Sequence, residues 1–238
     1  MATVPGVHAR RLVAEALGSG FLVAAVIGSG IMAERLSPDD VGLQLLENAA
    51  ATAGVLYVII VVFAPVSGAH FNPVVTMGDC LIGGRPWRDL PGYVGAQIAG
   101  GCFGAVVANL MFDLPAVEWS TKTRSAGHLW LAEVVASLGL VLLIFALVRT
   151  DRSRLVAGAV AAYIGGAYFF TSSTSFANPM VSVARTFSDT FAGIEPASAP
   201  MFILMQIAGA LAAAALAAWL FPRSADDPTD EVVVPGDR

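Results

Sequence analysis

A chain of 238 residues that is 56% hydrophobic, only 13% charged and net −5 cannot clothe a water-soluble fold, since soluble domains carry roughly 25% charged residues. The apolar content excludes a disordered chain, and the negative balance without a basic patch excludes a nucleic-acid binder. What remains is a protein dissolved in lipid.

The spans read as gaps between charges. His8, Arg10 and Arg11 precede the first, 16–33, which lies between Glu15 and Glu34. It is long enough to cross and other spans follow, so it is a membrane helix and not a cleaved leader. The gaps 90–112 and 196–222 each fit one helix of about 20 residues, as does 125–148, which holds only Glu133. The gaps 48–78 and 155–184 are too long for one helix, and each carries an Asn-Pro pair in its last third.

Within the second gap, a helix over 48–65 gives way to Ser67-Gly68-Ala69-His70-Phe71-Asn72-Pro73. Within the fifth, a helix over 155–170 gives way to Thr171-Ser172-Ser173-Thr174-Ser175-Phe176-Ala177-Asn178-Pro179. Each polar stretch stops a helix, Asn supplies a new N-cap, and Pro takes the first helical position. The short helices that follow, 74–81 and 180–187, cannot cross. Irregular backbone at membrane depth survives only where it lines a water-filled cavity or is buried in protein. The expected architecture is therefore all-α, with six transmembrane helices and two re-entrant half-helices.

The chain is also a repeat. Ala14-Glu15 parallels Ala132-Glu133, Asn72-Pro73-Val74-Val75-Thr76 parallels Asn178-Pro179-Met180-Val181-Ser182, and Gln97-Ile98-Ala99-Gly100 parallels Gln206-Ile207-Ala208-Gly209. Three spans per half force the second copy to enter from the opposite side, so the repeats, 11–112 and 125–221, are inverted and the site belongs at the midplane. Arg10, Arg11, Arg85, Arg88, Arg149, Arg152, Arg154, Arg223 and Arg238 fall on one side. Arg35, Lys122, Arg124 and Arg185 fall on the other, so the richer side, holding both termini, reads as cytoplasmic.

Paired Asn-Pro motifs on half-helices, one glutamate per half, and the run Ser67–Pro73 resemble the aquaporin and aquaglyceroporin channels of the major intrinsic protein family. The likeness covers the chain from Arg11 to Phe221. It implies a right-handed helical bundle around a central pore, a homotetramer with one pore per subunit in the cell membrane, and a passive path for water and small neutral solutes. It assigns Asn72, Pro73, Val74, Asn178, Pro179 and Met180 to the pore motif. The carbonyls of Gly68, Ala69, His70, Ser175, Phe176 and Ala177 form an acceptor ladder, and Thr52, Gly166, Ser175 and Val181 are the selectivity filter. Ions, protons included, are turned back by the positive ends of two facing half-helices.

The filter departs from the family pattern. Most relatives place an arginine where this chain has Val181, and the nearest one here, Arg185, lies a helical turn further on, expected at the half-helix end or the outer surface. The likeness is closest to bacterial aquaglyceroporin-like channels with an arginine-free filter, some linked to arsenic handling. With small residues at the other three positions, the pore is expected to pass glycerol, urea-like molecules and undissociated metalloid acids such as arsenous acid.

Glu15 and Glu133, expensive in lipid, read as scaffolds for the re-entrant loops, with Gln97 and Gln206 as interhelical hydrogen-bonding partners. His70 reads as a packed polar residue more readily than a pH gate. Gly100/Gly104 and Gly28-Ser29-Gly30 read as close helix packing. Trp87, Trp119, Trp130 and Trp219 mark span ends, and the acidic residues of 222–238 form a solvated tail. Cys80 and Cys102 offer neither a disulfide framework nor a metal pattern, and no cofactor is called for. The competing readings are an intramembrane Ser/His enzyme, which lacks a third group, and an ion-coupled secondary transporter, which shares inverted repeats and broken helices.

Overall fold

The computed structural model describes residues 5–222; apart from Pro222, the acidic tail lies outside them, as do Arg223 and Arg238. The helices are α1 (Pro5–Leu36), α2 (Val41–Ser67), α3 (Pro73–Leu81), α4 (Leu90–Met111), α5 (Gly127–Arg149), α6 (Val156–Phe170), α7 (Pro179–Ala184) and α8 (Ala199–Leu220). Six are long and apolar enough to cross a membrane; α3 and α7 are the half-helices.

Local chemistry sets the boundaries. The side chain of Asp40 accepts from the Leu43 N–H at 2.9 Å and caps α2. That helix runs through Pro65 to Ser67, two residues past the expected stop, because a proline near the C-terminal end removes a single ladder bond. Gly68 then ends it with φ 92° and an N–H donated to the Ala64 carbonyl, a left-handed cap that glycine adopts without strain. Asn72 and Asn178 each start a half-helix, their side-chain oxygens accepting from Val74 N at 3.1 Å and Met180 N at 3.0 Å, with proline at the first position. Beyond α7 the chain tightens into a 3-10 turn, Arg185–Phe187.

Packing repeats in the two halves. Helix α1 packs on α4 and α2, α5 packs on α8 and α6, and α2 meets α6 at the seam. Each half-helix touches both α4 and α8, so each repeat's short helix leans on the other repeat. Gly100 makes the α1–α4 contact possible: a Cβ there would lie 2.0 Å from the Ala16 carbonyl oxygen. Its counterpart Gly209 would place a Cβ 2.4 Å from the Val134 oxygen of α5. The recurring Gln-Ile-Ala-Gly thus couples a buried glutamine to a close backbone approach, the small-residue device of membrane helices.

Candidate functional site

The two re-entrant loops adopt the same unusual backbone. Ala69 and Phe71, three and one residues before Asn72, have φ 52° and 48°; Ser175 and Ala177, at the same offsets before Asn178, have φ 51° and 48°. Left-handed non-glycine residues cost about 1 kcal/mol or more each, so something must hold them. Glu15 does so in the first loop. One of its oxygens accepts from the Ser67 hydroxyl at 2.6 Å and the His70 N–H at 3.0 Å, the other from the Phe71 N–H at 2.8 Å and Gln97 Nε2 at 2.7 Å. In the second loop Glu133 accepts from the Phe176 and Ala177 N–H groups at 3.0 and 2.9 Å and from Gln206 Nε2 at 2.6 Å. The glutamines also donate to Thr76 and Ser182 hydroxyls on the half-helices. Both glutamates are fully buried.

The asparagines join the loops. Asn72 Nδ2 donates to the Ala177 carbonyl at 2.8 Å, and Asn178 Nδ2 donates to the Phe71 carbonyl at 2.8 Å. This reciprocal pair clamps the two half-helix N-termini together and leaves each amide a second N–H. Both asparagines stand in the wall of a lumen of about 80 Å³, large enough to hold water.

The rest of the wall is striped. Helix α2 supplies Thr52, Leu56 and Ile60; α5 supplies Leu140, Ile144 and Val148; α6 supplies Val156, Val160, Ile164 and Tyr168. Each series steps by four residues, so one apolar face of each helix looks inward. A polar track of loop residues and asparagines runs along these apolar faces, and that combination lowers the cost of stripping hydration from a neutral polar solute without trapping it.

The structure redistributes several expected site residues. Gly68, Ala69, His70, Ser175 and Phe176 lie in the wall, as do Thr52 and Val181. Ala177 does not, and its carbonyl is taken by Asn72. Phe71, not expected there, lines the lumen instead. Pro73, Val74, Pro179 and Met180 are buried away from it; Met180 fills the space over Gly101 of α4, where a Cβ would meet its sulfur at 2.3 Å.

Gly166 is the clearest correction. It is exposed, nothing lies within 4 Å of where its Cβ would be, and it is absent from the lumen wall. Tyr168, two residues on, lines the lumen instead, its hydroxyl donating to Thr52 Oγ1 at 3.2 Å. Two residues along a helix turn the side chain by about 200°, so Gly166 and Tyr168 cannot share a face. The four-residue stripe on α6 was the available signal, because Val156, Val160 and Ile164 run straight to Tyr168.

Charge supplies the other corrections. Arg185 caps the end of half-helix α7 but does not reach the outer surface: it is 3% exposed, stands in the lumen wall, and lies 3.5 Å over the Phe176 ring centroid. Its Nε donates to the Ala192 carbonyl. The passage is therefore not free of arginine. Nor are the two glutamates the sole buried charges. Asp79, within α3, is fully buried; its carboxylate lies 3.5 Å from Arg85 Nε and 3.6 Å from His70 Nε2. Arg85, 3% exposed, stacks 4.2 Å over Tyr93 and donates to the Ser67 carbonyl at 3.2 Å. His70 completes its contacts with Nδ1 3.1 Å from Thr76 Oγ1. The charge-gap reading missed this cluster because Asp79 marks the end of a gap, where a charge passes for a loop residue.

On the far side, loop 113–126 pairs with the segment that follows α7, Glu118 and Ser120 donating their N–H groups to the Phe187 and Thr186 carbonyls. Arg124 donates to the Gly193 carbonyl at 2.9 Å, and Asp189 accepts from the Thr121 N–H at 2.9 Å. That N–H, together with the Thr121 and Ser120 hydroxyls, holds the Asp189 carboxyl below its ordinary range. No group of three or more metal-ligating side chains occurs among the described residues.

Residues 4–175 match a family model described as Major intrinsic protein. The chain is 50% identical over 211 residues to "Aquaglyceroporin AqpS" of Rhizobium meliloti (strain 1021), spanning 89% of this chain and 90% of that one. It is 29% identical to "Aquaporin NIP1-4" of Oryza sativa subsp. japonica over 85% of this chain and 74% of the relative. Among solved structures, the aquaglyceroporin from Plasmodium falciparum superposes with TM-score 0.68 at 20% identity, covering 90% of this chain and 96% of the other, a likeness of fold.

Proposed function

The chain belongs to the major intrinsic protein family and is a channel for water and small solutes, not an enzyme; on that premise we propose that its lumen passes solutes bulkier than water, namely glycerol, urea-like molecules and undissociated metalloid acids such as arsenous acid. One observation carries the reading. Val181, directly after Asn178-Pro179-Met180, stands in the lumen wall, so a short apolar side chain occupies the place where the family resemblance expects a long cation. Arg185 leaves that opening clear because its guanidinium lies against Phe176. Thr52 and Ser175 are small, and the Tyr168 ring is tied back to Thr52 by its hydroxyl. The 50% identity to a protein named an aquaglyceroporin supports the same solute class.

The proposed roles follow from the placement. The second N–H of Asn72 and of Asn178 donates to solute, and the loop carbonyls of Gly68, Ala69, His70, Ser175 and Phe176 accept from it. Thr52, Tyr168, Ser175 and Val181 set the width, and Glu15, Glu133, Gln97 and Gln206 hold the loops. Ions meet the converging positive ends of α3 and α7, as in aquaporin-type pores generally. We read the chain as one channel domain of two inverted repeats, assembled as a homotetramer in the plasma membrane with both termini cytoplasmic.

Osmotic swelling of proteoliposomes across water, glycerol, urea and arsenous acid tests the reading: all four should move, and movement of water alone would overturn it. Val181→Arg should cut glycerol and urea flux by about fivefold or more while water flux stays within about twofold, the pattern of a narrowed neutral filter.

A further inference from the structure

An arginine buried in a lumen wall without a carboxylate is an expensive arrangement, and Arg185 is so placed. It is 3% exposed, and no salt bridge to it occurs among the described residues. Among the described residues its side chain makes one hydrogen bond, from Nε to the Ala192 carbonyl, which leaves the two terminal nitrogens to serve whatever fills the lumen. The Phe176 ring, 3.5 Å below, supports the cation with its π face, and that ring is itself braced edge-on by Phe202 at 5.1 Å. Ser175 adds a second unfilled group beside it: its hydroxyl is buried, lines the lumen, and has no hydrogen-bond partner among the described residues.

The other cations of this end stand outside the lumen wall. Arg124 donates to the Gly193 and Ser173 carbonyls and lies behind Arg185, 5.1 Å from the same Phe176 ring; the Lys122 ammonium binds the Phe191 carbonyl at 2.8 Å, and Arg35 donates to the Phe112 carbonyl. Arg185 is thus the fixed charge that a solute meets there. We propose that Arg185, reaching back from one helical turn beyond Val181 and laid on Phe176, is the specificity-determining cation of this channel's outer half. It excludes monovalent cations without narrowing the bore, and the fold-back loop that carries Ala192 is its positioning element. A side chain at 181 would have to cross the lumen to supply charge; one at 185 supplies charge from the wall. The inference rests on the reading of the lumen as a neutral-solute passage and adds the means by which a wide bore stays closed to ions.

The test separates charge from size. In planar bilayers Arg185→Gln should raise potassium conductance at least tenfold, whereas Arg185→Lys and Lys122→Gln, which removes a charge outside the wall, should leave it at the wild-type level. Water flux of Arg185→Gln in proteoliposomes, within about twofold of wild type, certifies the fold. Unchanged conductance in a water-conducting Arg185→Gln channel overturns the proposal. Should that variant carry no water, Arg185→Cys in a Cys80→Ala/Cys102→Ala chain replaces it, read before and after thiol reagents of opposite charge. An aminoethyl adduct should suppress the potassium current and an ethylsulfonate adduct should not; equal currents overturn the proposal. If wild-type vesicles move water but no larger solute, the wide-bore reading fails, and the conductance comparison still decides the role of Arg185.

Discussion

A carboxylate at membrane depth is stabilised only by filling its oxygens, and Glu15 fills both with four donors from two segments of chain. Two of those donors are backbone N–H groups of a loop containing left-handed alanine and phenylalanine, so the glutamate offsets strain that the loop cannot relieve alone. Glu15→Leu keeps the volume and strands those donors, at about 1–3 kcal/mol for each left buried and unpaired. The expected result is a loss of at least about 3 kcal/mol, measured as denaturant unfolding in detergent, with Glu15→Gln losing less. These residues were legible because the repeat presents them twice in the same order. Arg185 was not: spacing along the chain puts it beyond the filter. Only the return of the segment through Ala192, whose carbonyl takes Nε, turns its guanidinium onto Phe176.

At the scale of the element, a helix fixes which residues can share a surface. The inward stripe of α6 steps through Val156, Val160, Ile164 and Tyr168, and counting back from Asn178 to Gly166 fails because loop length, not helix phase, sets that count. Tyr168→Ala should therefore raise the glycerol-to-water flux ratio by about threefold or more, and Gly166→Val should leave both fluxes within about twofold. Swelling rates of the two variants check this, and the opposite ranking would restore Gly166 to the lumen. Helix positions were otherwise legible. Charge-free gaps locate spans because lipid excludes charge, and Asn-Pro locates the half-helix starts because capping is local. The end of α2 shifted by two residues, since a proline close to a C-terminus weakens a helix without stopping it.

At the scale of the molecule, two halves that pack alike are joined by a crossed pair of hydrogen bonds, Asn72 to Ala177 and Asn178 to Phe71, and each half-helix leans on both repeats. Such a joint holds the centre rigid, and a rigid, water-filled passage conducts without cycling. Glycerol flux should therefore rise linearly with concentration and ignore sodium and proton gradients; saturation with ion dependence in vesicle assays would instead mark a carrier. The sequence by itself determined the membrane, six crossings, two half-helices and their inverted duplication, because each rests on composition, capping or order along the chain. Only the tertiary structure decided which residues face the lumen. Tyr168 for Gly166, the loss of Ala177 from the wall, the Asp79–Arg85–His70 cluster and the return of Arg185 all depend on helix rotation and on loops that fold back. Those are set by packing between segments far apart in the chain, which no local pattern records.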